Sequence, residues 1–110
     1  MTKVGKGDLP PKKSDLAAYQ KEIQQSALKF ENALQSYLIA NKEEKVRLKA
    51  IMDDQLHLIQ EAVREVKRAG VSKQEVKIEA DYKQFLTGAS DEAVAALQHD
   101  LQTLRDFTTP

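Results

Sequence analysis

Residues 48–69, LKAIMDDQLHLIQEAVREVKRA, decide how this chain folds. Leu48, Ile51, Met52, Leu56, Leu58, Ile59, Ala62, Val63, Val66 and Ala69 recur at helical rather than extended spacing. At about 100° per residue they cover an arc of roughly 160°. So wide an apolar face needs two neighbours. The helix is expected to run over 42–69. Arg64, Lys67 and Arg68 offset the dipole in its last turns, and Gly70 is the residue that most easily takes a left-handed conformation just past the end.

Upstream, Asn41 has an amide that can cap this helix, and Glu44 stands three residues on in a capping-box position. A reversal at Asn41 makes a hairpin with a first helix over 14–40, begun by Ser14 as cap and Asp15 in the first turn. The competing reading is one unbroken rod over 14–69, roughly 80 Å long, which would leave its apolar stripe in water. On the first helix Leu16, Tyr19, Ile23, Ala27, Phe30, Leu34, Tyr37 and Leu38 share an arc of roughly 100°. Leu28 and Ile39 lie outside it, on nearly one line, as a second contact ridge.

Downstream, Ser72 with Glu75 forms another capping box, and Val71, Ile78, Tyr82, Phe85, Leu86 and Ala89 make the stripe of a third helix. The alternation Val76, Ile78, Ala80, Tyr82 would also suit a strand, but charged residues intervene and a lone strand has no partner. Gly88 ends this helix, Ser90 caps the next, and Val94, Leu97, Leu101 and Leu104 form a coiled-coil-like seam, with Phe107 to Pro110 expected to fray. The fold expected is all-α: an antiparallel hairpin of two long helices packed by two shorter ones, a three- or four-helix bundle. The short helices can lie side by side or stack end to end, and either way the second helix is central.

Composition agrees. The 110 residues suit one domain over 14–110, and 31% charged residues with only 4 Gly and 3 Pro favour charged-faced helices over a turn-rich sheet. Without cysteine there is no disulfide, thiolate nucleophile or Cys-based zinc site. No apolar run suits a signal peptide or a membrane span, so the expected compartment is the cytoplasm, with export lacking a cleaved signal left open. Net charge is zero, yet residues 1–13 hold four lysines against one aspartate, and the remainder has thirteen basic against sixteen acidic side chains. The leader reads as a flexible basic tail; without arginine or aromatics it is weak evidence for a nucleic-acid or acidic-surface binder, and nucleic acid is not the expected partner.

Chemistry-bearing residues are few. Asp53, His57 and Glu61 stand four apart and could present metal ligands, but His57 lies about 180° from Leu48, in the middle of the polar face. An exposed histidine on a helical bundle also suits a phosphotransfer protein, for which His57 would accept the phosphoryl group. That family sets its histidine among small residues with a nearby lysine and glycine, whereas here it stands in Gln55-Leu56-His57-Leu58-Ile59, and His99 in Gln98-His99-Asp100. No Gly-rich phosphate loop and no core Glu-x-x-His pair is present, and the carboxylates lie on polar faces, so no enzyme, cofactor or metal is expected. Arg64, Lys67, Arg68, Lys73 and Lys77 form a basic corner, of which helix termination explains the first three. Gln55 is different: it lies near the centre of the apolar arc, where an amide must find a polar partner or mark an unsealed place. The function expected is a non-enzymatic protein-interaction module, an adaptor, chaperone-like protein or secreted hairpin. It would take a protein partner or form a homodimer through Leu28, Ile39, Gln55 or the seam Val94, Leu97, Leu101 and Leu104.

Overall fold

A computed structural model describes residues 13–109. Four helices follow in order, α1 (Lys13–Leu38), α2 (Lys42–Val66), α3 (Ala69–Thr87) and α4 (Asp91–Phe107), and among the described residues there is no strand. The all-α expectation holds. The basic tail lies outside the described residues except for Lys13, which is already helical; Ser14 falls inside α1 rather than before it. No described helix is long and apolar enough to cross a membrane.

The chain reverses over 39–41, so the unbroken rod is excluded. Asn41 has extended backbone, and its side-chain oxygen accepts from the Glu44 N–H at 2.9 Å, satisfying one of the donors a helix start leaves free. Glu44 turns its own carboxylate to Arg47, at 2.6 Å, so only half of the capping box forms.

The end of α2 departs from expectation. The left-handed residue is Lys67 (φ 57°, ψ 42°), whose N–H reaches the Val63 carbonyl, and Gly70 sits in the first turn of α3. Ser72 is not a cap: its N–H makes an ordinary helical bond to the Arg68 carbonyl at 2.9 Å. Burial explains the early turn. Val66 and Val71 both enter the core, so the reversal must fit within the four exposed residues between them. A side chain at positive φ is strained, and Lys67→Gly should therefore raise stability by up to about 1 kcal/mol. A Cβ at Gly70 would meet nothing within 4 Å, so Gly70→Ala should also stabilise, by about 0.4 to 1 kcal/mol. Thermal melts check both; had Gly70 been the left-handed residue, its alanine variant would lose stability instead.

The turn between α3 and α4 follows the sequence closely. Gly88 closes α3 with its N–H on the Gln84 carbonyl, and Ser90 Oγ accepts from the Ala93 N–H at 3.1 Å ahead of Asp91 and Glu92. α3 and α4 form a second antiparallel hairpin, side by side, and Gln74 near the start of α3 donates to the Asp100 carbonyl at 2.9 Å. The two hairpins pack with α1 alongside α4 and α2 alongside α3, while aromatic side chains of α1 and α3 meet across the diagonal, which corrects the expectation that α2 is central. Gln60 to Glu75 at 2.9 Å links α2 to α3, and Arg105 to Glu31 at 2.6 Å links α4 to α1.

At the junction of the hairpins, Phe30 meets Tyr82 edge-on at 5.1 Å, Tyr82 stacks on Phe85, and Tyr37 closes the set at 5.4 Å from Phe85. The end of α4 is not frayed at Thr108, which is fully buried with its hydroxyl donating to the Leu104 carbonyl at 2.9 Å. Arg68 Nη1 holds the Phe107 carbonyl at 2.9 Å.

Candidate functional site

The residues singled out for docking separate into two groups. Leu97, Leu101 and Leu104 are fully buried and Val94 packs against the same core, so the α4 seam faces this chain's own helices and is not offered to another molecule. The heptad spacing marks an apolar face truly, but α1 and α3 cover it. Leu28 and Ile39 are exposed, at 48% and 90%. They do not form a helical ridge, because α1 stops at Leu38 and Ile39 belongs to the turn. That leaves Gln55.

Gln55 lies in a groove of about 290 Å³ between α1 and α2, walled by Lys29, Asn32, Ala33 and Ser36 on one side and Leu48 and Ile51 on the other. On α2 the flank holding Ile51 and Leu58 is turned roughly 160° from Asp53 and Gln60, the residues that meet α3. The groove is therefore on the side of the first hairpin that the second does not cover. Small side chains on α1, Ala33 and Ser36, leave it open. Further along the same flank, Tyr19 and Glu22 of α1 and Glu61, Ala62, Arg64 and Glu65 of α2 enclose about 360 Å³. The Gln55 Oε1 atom is buried and has no hydrogen-bond partner among the described residues. Leaving such an acceptor unpaired costs about 1 to 3 kcal/mol.

His57 is exposed on the polar face of α2 with Nε2 3.2 Å from Glu61. Asp53 is engaged elsewhere, accepting from the Tyr82 hydroxyl at 2.6 Å and from Lys49 at 2.9 Å. Burial, and then the Asp53 carboxylate, push the Tyr82 phenol far above its ordinary value. Among the described residues no group of three or more His, Cys, Asp and Glu is placed to hold a metal ion. The basic corner is partly used internally, Arg68 by the Phe107 carbonyl and Lys77 by Asp100.

One cluster escaped the sequence reading. Asp100, 1% exposed, accepts from Lys77 Nζ at 2.8 Å, and Lys77 also stands 3.8 Å from Asp81 Oδ2. Burial raises the Asp100 carboxyl above the usual carboxylate range, as does the Asp81 carboxyl within hydrogen-bonding reach, against the lowering effect of Lys77. Lys77 is raised in turn, chiefly by its hydrogen bond to Asp100. A signal was present: at 100° per residue Asp100 lies roughly 60° from Leu97, on the flank of the buried seam.

Comparison with protein-family models, with curated proteins and with solved structures finds no match to the chain.

Proposed function

We propose that this chain is a non-enzymatic interaction module that pairs with a second copy of itself through the open groove of the first hairpin. The observation that supports this reading is the buried, unpartnered Gln55 Oε1 in a groove walled largely by small and apolar side chains. On α2, Ile51, Gln55 and Leu58 fall at four- and three-residue steps and keep exposed surface, with Gln55 in the middle, while Leu48 and Ala62 at either end of the row are buried in the chain's own core. When two such faces meet in parallel about a two-fold axis, equivalent positions face each other, and a Gln55 amide turned outward from its buried position can pair with the Gln55 amide of the other copy. A polar residue so placed fixes the register as well. Lys29 of α1 lines the groove, and Asp54, three residues from Ile51 on α2, offers an opposite charge that a two-fold axis can set across from it.

Sedimentation equilibrium of the full chain tests this. The wild-type mass should rise with concentration from 12.4 kDa toward twice that value. Ile51→Glu, which puts a charge on the half-buried groove wall, should stay at one chain mass while remaining helical. Gln55→Leu should still associate, and lose the single register into mixed assemblies. A wild-type mass fixed at one chain across the whole range would refute the reading, as would a dimer that Ile51→Glu leaves intact and Leu28→Glu dissolves.

A further inference from the structure

We propose that Lys77, Asp81 and Asp100 form a pH-sensitive clasp between α3 and α4 that is closed when Asp100 carries a proton. Three charged side chains meet where the two helices pack: two carboxylates and one ammonium. With both carboxylates ionised the cluster carries an uncompensated negative charge, and one of its carboxylates, Asp100, is removed from water. With a proton on Asp100 it is neutral. The atoms ask for that proton: Asp81 Oδ2 and Asp100 Oδ2 are each buried with no hydrogen-bond partner, while Asp100 Oδ1 is already held by Lys77 at 2.8 Å. Ionised, the two carboxylates offer only acceptors; a proton on Asp100 supplies a donor beside the unpartnered Asp81 Oδ2.

The other group facing Asp100 is His99, on its own helix, with Nδ1 4.0 Å away on an exposed ring. Among the described residues neither α1 nor α2 brings an ion pair to the cluster. Protons have a route in. Asp81 lines a groove of about 280 Å³ between α3 and α4, together with Gln84, Ser90, Glu92, Ala93 and Ala96. Because the Asp100 carboxyl is raised in the folded chain, the stabilisation it contributes is complete below the ordinary aspartate range and is lost as pH rises through the folded value. The clasp is tight in acid and loosens toward neutrality.

Carbon-detected NMR titration of the side-chain carboxyls in the wild-type chain should show Asp100 titrating above the ordinary aspartate range. Asp100→Asn imitates the protonated state, since its amide oxygen can still accept from Lys77 and its amide nitrogen can donate to Asp81. Its thermal midpoint should lose the fall with rising pH that the wild type shows, and His99→Gln should retain that fall. An Asp100 carboxyl titrating in the ordinary range would overturn the proposal. So would an Asp100→Asn midpoint that follows the wild-type pH profile. If that variant does not fold, the wild-type titration decides alone.

Discussion

Phe30→Ala should lower the unfolding free energy by about 3 to 5 kcal/mol, the usual cost of emptying a buried aromatic site. Phe30 is fully buried and lies where α1 of the first hairpin meets α3 of the second, its ring edge-on to Tyr82. Removing it opens a hole at the contact between the hairpins rather than within one of them. It also takes away the wall that positions Tyr82, whose hydroxyl is fixed on Asp53 at 2.6 Å. Since domains of this size are stable by only about 5 to 15 kcal/mol, the loss is a large part of the whole. Urea unfolding followed by circular dichroism measures it. A loss below about 1 kcal/mol, typical of an unremarkable substitution, would mean that the two hairpins are not packed through this residue.

Ile59→Ala should cost about 2 to 5 kcal/mol, because Ile59 is completely buried in the middle of α2. His57→Ala, two residues away on the opposite side of the helix, should change stability by less than about 0.5 kcal/mol, since an exposed ion pair contributes little. The contrast fixes the rotation of α2, which a shift of one residue would turn by about 100°. Equal costs at both positions would show that the helix presents a different face, and would bring His57 back as a buried group.

The helices were legible because their apolar residues keep helical spacing and because two starts carry side-chain oxygens with the right chemistry, Asn41 and Ser90. The turn after α2 was not. Glycine's advantage at a left-handed position is only about 1 kcal/mol, and the joint burial of Val66 and Val71 outweighs it, so a lysine takes that conformation. Spacing along α4 showed an apolar seam but not what covers it, and Leu97, Leu101 and Leu104 proved to face the chain's own core.

The groove and the clasp differ in the same way. Gln55 stands out on α2 alone, as an amide in the centre of an apolar arc, so its position was readable without any tertiary information. The meeting of Asp100 with Lys77 and Asp81 depends on how α4 lies against α3, and nothing local to either helix states that alignment. Single-helix patterns reveal which face is apolar; partners across helices appear only once the hairpins are docked.

Because the chain has no cysteine, a single spin label can be placed at will. A label at Ser36→Cys, on the wall of the groove that holds Gln55, should report a well-defined distance between two chains by pulsed dipolar spectroscopy. A label at Val76→Cys, exposed on α3, should report a longer one. A featureless decay at both positions, or a shorter distance at Val76 than at Ser36, would contradict pairing through the groove that holds Gln55.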